Sequence, residues 1–154
     1  MPTIKVQLRS DLTEAIRSQD EITIATVRLA LTAIQRSEVA GDTPVELTDA
    51  QVVELLRGEA KRRAEAAELY DQGQRAELAA RERAQAAVLD RYLPPEIDDD
   101  ALNAIIAEEV AAAQADGATG GRAMGQVIKG VRARVGADAS GGRVAAAVKA
   151  ALGT

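Results

Sequence analysis

Between Gly117 and Thr154 the sequence sets six cations, Arg122, Lys129, Arg132, Arg134, Arg143 and Lys149, against the single acidic Asp138. Side chains of this kind pair well with anions. Against a nucleic acid they neutralise phosphates and release condensed counterions. The two tyrosines, Tyr70 and Tyr92, lie outside this stretch. Bases would therefore have no aromatic ring to stack on there, and contact would follow the phosphate backbone with little regard to sequence. Other chemistries lack their residues. The chain has no Cys, hence no disulfide, thiolate metal site or Cys nucleophile, and no His, hence neither the usual proton shuttle nor the commonest zinc ligand. Ser10, Ser18, Ser37 and Ser140 have no base at a recognisable spacing. Gly117, Gly120 and Gly121 precede a helix, but a phosphate loop needs a strand before it and a Lys-Ser/Thr pair after it, and both are missing. The expectation is a non-catalytic chain with no metal and no cofactor.

The elements that must position these cations follow from composition and spacing. Of 154 residues, 47% are hydrophobic and 28% charged, and Phe and Trp are absent. A core of Ala, Val, Leu and Ile favours helices whose axes approach closely. Apolar residues recur at helical spacing, and no segment alternates as a half-buried strand does. The pattern predicts an all-α fold of seven helices. The first four span about Thr3 to Gln19, Asp20 to Ala40, Thr48 to Gly73, and Gln74 to Leu93. The last three span about Asp99 to Ala115, Arg122 to Val135, and Gly142 to Leu152. Asp20 is placed to cap the second helix, and Thr48 with Gln51 has the form of a capping box. Pro94-Pro95 must end a helix, so a hinge is expected there between a four-helix part (1–93) and a small three-helix part (96–154) that is basic from about residue 117.

Charge divides along the same line. Residues 1–93 hold 13 basic and 16 acidic side chains, residues 94–116 hold seven acidic and none basic, and the last stretch is net +5 in a chain of net −5. Such asymmetry hints at an anionic partner. In the sixth helix Met124, Val127, Ile128, Val131 and Val135 form the predicted buried stripe, with Arg122 and Lys129 opposite it and Arg132 and Arg134 on its flanks. Gly125 and Gly130 lie off that stripe. Each costs about 1 kcal/mol relative to Ala, which suggests close approach of another backbone or a ligand. In the third helix Glu59 and Arg63 share the apolar face at i,i+4, and Arg28 and Glu38 lie near the corresponding stripe of the second. The simplest reading is a partly buried ion-pair network that docks the second helix on the third; a carboxylate active site is the weaker one. "QGQRAEL" reads as a turn, with Arg75 as a lesser candidate anion contact. No apolar run approaches the roughly 18 residues that span a bilayer, and "MPTIKVQLRSDL" has charges where a signal peptide needs an apolar core. A cytoplasmic protein with no membrane partner is expected.

Three stretches, "IATVRLALTAIQRSEV", "DQGQRAELAARERAQAAVLDRYLPPEI" and "AMGQVIKGVRARVG", resemble the GatB/YqeY family. The resemblance rests on Val27-Arg28, on Gly73-Gln74-Arg75-Ala76-Glu77-Leu78, on Tyr92-Leu93-Pro94 and on Met124-Gly125, in that order. It implies an all-helical fold of two parts and kinship with the tail domain of the GatB subunit of tRNA-dependent amidotransferases, which engages tRNA. Where members often carry Arg and Lys in the last loop, this chain has "GADASGGR", with Arg143 alone. The resulting expectation is a tRNA- or RNA-binding accessory module that acts through the six cations named above. The alternative is an adaptor that docks a cytoplasmic enzyme through acidic helices, especially around Asp98 to Glu109.

Overall fold

Most helices begin at a side-chain cap that the sequence supplies. The Thr3 hydroxyl accepts from the Val6 N–H and opens α1 (Ile4–Ser18). The Asp20 carboxylate accepts from the Thr23 N–H and opens α2 (Glu21–Glu38). Thr48 and Gln51 form a reciprocal capping box at the start of α3 (Asp49–Gln72), while α4 (Ala76–Asp90) follows without a side-chain cap. Asp98 opens α5 (Asp99–Ala115). Next come α6 (Gly120–Val135), a 3-10 turn (Gly136–Asp138), and α7 (Gly141–Leu152), which Ser140 caps. The structure, a computed structural model, describes residues 2–153; the fold is all-α, with no strand among the described residues. Two ends differ from the sequence reading. The helix expected to reach Leu93 stops at Asp90, because Arg91, Tyr92 and Leu93 donate to carbonyls three residues back and tighten into a turn. The helix expected from Arg122 starts two residues earlier, at Gly120.

The chain divides into two compact units, Met1–Leu93 with α1 to α4 and Pro94–Thr154 with α5 to α7. In the first, Leu8, Val27, Ala30, Ile34, Val52, Leu56, Val88, Leu89 and Tyr92 form the core. The Tyr92 hydroxyl donates to Asp11 Oδ2 at 2.5 Å and so ties the end of the α3–α4 hairpin to α1. Between residues 57 and 84 only Ala67 and Ala79 are buried. The outer half of that hairpin therefore buries little apolar surface, and two ion pairs, Arg63–Glu82 at 3.2 Å and Arg83–Asp71, link its two helices.

The charges expected to dock α2 on α3 do something else. Arg63 reaches Glu82 of α4, Glu59 turns back to Arg62 within α3, and Arg28 is exposed. Glu38 pairs with Lys5 of α1 at 2.8 Å and accepts the Leu47 N–H at 3.1 Å, clasping the loop before α3. The physical reason is connectivity. The short link Gly73 to Arg75 folds α4 back along α3, so the near face of α3 meets α4 before it can meet α2.

Candidate nucleic-acid interface

The C-terminal unit is held by Leu102, Ile106 and Ala113 of α5, by Ala123, Val127, Val131 and Val135 of α6, and by Val144 and Val148 of α7. Met124 and Ile128 pack at the edge of this cluster. The buried stripe of α6 therefore falls where its spacing puts it, which turns the opposite face outward. Arg122, Gly125, Lys129, Arg132 and Ala133 are all exposed there. Among the described residues, the side chains of Arg122 and Lys129 have no ion-pair or hydrogen-bond partner, and the same holds for the exposed Lys149 side chain on α7.

Arg134 and Arg143 are in a different state. Arg134 pairs with Glu108 at 2.6 Å and with Glu109 at 3.5 Å, both on α5. Arg143 pairs with Asp99 at 2.7 Å and with Glu96 at 3.4 Å. The Ile97 N–H donates to the Asp138 carbonyl at 2.8 Å, so the segment before α5 lies against the α6–α7 connection. Within 94–154 six cations face eight carboxylates, a net charge of −2. The sequence stretch of net +5 thus folds against the most acidic stretch of the chain. What remains is a local cationic face on α6 with Lys149 apart from it, and the unit as a whole is not basic. The signal for this was present in the sequence, since seven acidic side chains without a cation among residues 94–116 needed partners from elsewhere.

The two glycines of α6 also separate. A Cβ on Gly130 would sit 2.3 Å from Glu109 Oε2, so its lack of a side chain makes room for the carboxylate that faces Arg134. A Cβ on Gly125 would meet nothing within 4 Å. Arg75 stands exposed at the uncapped start of α4, in the other unit. No group of three or more acidic side chains among the described residues could hold a metal ion, and no helix among them is long and apolar enough to cross a membrane.

The sequence profile described as "Yqey-like protein" matches residues 5–152. The chain belongs to the YqeY-like family. The match takes in helices of both units, so the N-terminal bundle and the cation-bearing C-terminal bundle are parts of one family unit. No curated protein shows significant similarity to the chain. Within this YqeY-like fold, Met124 and Gly125 stand side by side on α6, the first packed at the core edge and the second turned to solvent.

Proposed function

We propose that the chain is a non-catalytic, tRNA- or RNA-binding accessory module whose contact surface is the outer face of α6, with Lys149 of α7 as a separate contact. The observation that carries this reading is the state of Arg122 and Lys129. Two cations project two turns apart on one exposed face with no carboxylate to neutralise them among the described residues. Arg132 is exposed on the same face. Arg134 and Arg143 are removed from the contact set, since their guanidinium groups already hold α5 in place. Kinship of the YqeY-like family with the tRNA-engaging tail of GatB supports the same reading. The site has no aromatic residue, so recognition is of backbone and shape.

The adaptor reading draws less support. Of its acidic cluster, Asp99, Glu108 and Glu109 hold arginines of the same unit and Asp98 caps α5. Asp100 alone among Asp98, Asp99, Asp100, Glu108 and Glu109 has no such engagement among the described residues. Affinity capture on the intact chain, with and without RNase, separates the two readings. Co-purifying small structured RNA that RNase removes is the expected result. A protein partner retained at full yield after RNase, with no RNA present, would replace the module with the adaptor.

A further inference from the structure

The geometry points to Gly125 as the seat on which the phosphodiester backbone of a bound RNA lies flush against α6, gripped by Arg122 on one side and Lys129 on the other. This rests on the RNA-binding reading and adds to it a position and a mode of contact. Gly125 is three residues after Arg122 and four before Lys129, so the three form one row along the exposed face, with about 10 Å of axial rise between the cations. Glycine in a helix interior is unfavourable relative to alanine, because its freer backbone loses more conformational entropy on ordering and it adds no packed side chain. Of the other interior helix glycines, Gly130 is accounted for by Glu109, which fills the space beside it, whereas a Cβ on Gly58 would make only an ordinary contact, 3.9 Å from the Arg62 side chain. Gly125 has no such neighbour. The space it leaves is free only in the isolated chain.

The flanking chemistry selects the occupant. A second protein helix could also exploit a bare glycine, but it would have to bury or neutralise the adjacent Arg122 and Lys129. A polyanionic backbone profits from both. Its phosphates can approach the helix surface closely at the glycine, where a side chain would hold them off, and pair with a cation one turn to either side. Gly121, one turn before Gly125, is equally open, which lengthens the low strip along which the backbone can run.

The test compares Gly125→Ala, Gly125→Gln and, as a control for added bulk elsewhere on the same unit, Ala104→Gln on the exposed face of α5. Each is examined as the full chain with unfractionated tRNA. Ala and Gln are better helix formers than Gly, so both Gly125 variants should melt a few degrees above the wild type. Gly125→Gln should nevertheless bind tRNA at least tenfold more weakly and, by holding the backbone off Arg122 and Lys129, give a salt dependence shallower by about 1 to 2 log units per log unit of salt. Gly125→Ala should fall between, and Ala104→Gln should match the wild type. A wild type that binds no tRNA removes the RNA-binding reading itself. A wild type that binds while Gly125→Gln binds equally well overturns the seat alone. Lower melting of Gly125→Gln, or a wild-type dimer that it splits, would assign the glycine to packing within or between chains and likewise overturn the seat.

Discussion

Removing Arg63 should loosen the outer half of the α3–α4 hairpin, and the loss should be coupled to Glu82 rather than to Glu59. The Arg63–Glu82 pair spans 3.2 Å with side chains only 18% and 20% exposed. At an effective dielectric of about 20 the gross attraction at this distance is about 5 kcal/mol, most of which desolvation offsets. Arg63 also carries a cost, since its Nε is buried and finds no hydrogen-bond partner. The net coupling between the two side chains should therefore be about 1–2 kcal/mol, below the 3–5 kcal/mol lost when one partner of a fully buried pair is removed. For a unit of this size, a loss of that order lowers the melting temperature by about 4–8 °C per kcal/mol. Urea unfolding of Arg63→Met, Glu82→Gln and the double variant gives the coupling directly, and a second cycle with Glu59→Gln serves as control. Coupling to Glu82 of at least about 1 kcal/mol with near zero to Glu59 is expected. A 63–82 coupling indistinguishable from zero, or equal coupling in both cycles, would refute the packing derived for α3 and α4.

Other outcomes follow from the same structure. Burial and the hydrogen bond to Asp11 push the Tyr92 phenol above its ordinary value of 10. Its contribution is then complete below about pH 10 and lost as pH rises beyond it, so the wild type should weaken above pH 10 and Tyr92→Phe, already less stable, should not show that added loss. The Asp20 carboxyl is lowered by hydrogen bonds from Thr23, and the Glu38 carboxyl by its hydrogen bond from Lys5. Their contribution is present above the ordinary carboxylate range and lost as pH falls through the lowered values, so acid unfolding should be shallower in Glu38→Gln when followed by circular dichroism. Gly130→Ala should gain less stability than Gly125→Ala, by about 1 kcal/mol, because Glu109 must move away from Arg134; paired denaturant titrations read this difference.

The positions of the helices were legible because they are encoded locally. Thr48 and Gln51 sit at box spacing, Asp20 and Asp98 precede apolar periodicity, and Pro94-Pro95 forbids continuation. The stripe on α6 likewise fixes which side faces the core, and with it the exposure of Arg122 and Lys129. Partners are encoded differently. Periodicity assigns a residue to a face and does not say which helix that face meets, so it carries no sign that Arg63 meets Glu82 of α4 or that Glu38 meets Lys5 of α1. For the same reason the six cations looked equivalent in sequence, although α5 takes up Arg134 and Arg143. The contrast between Gly125 and Gly130 also depends on tertiary packing, because only the location of Glu109 separates them.

The salt dependence of tRNA binding tests the central claim most directly. Six equivalent cations would give a slope of log affinity against log salt near −4 for single-strand contacts. The structure leaves Arg122, Lys129 and Lys149, so the wild type should show a slope of about −2. Arg122→Gln with Lys129→Gln should weaken binding to all tRNAs alike and flatten the slope by about 1 to 2 units while helicity stays unchanged. Failure of the wild type to bind at about 50 mM salt, or a double variant that binds as tightly and with the same slope, would contradict an RNA-binding face on α6.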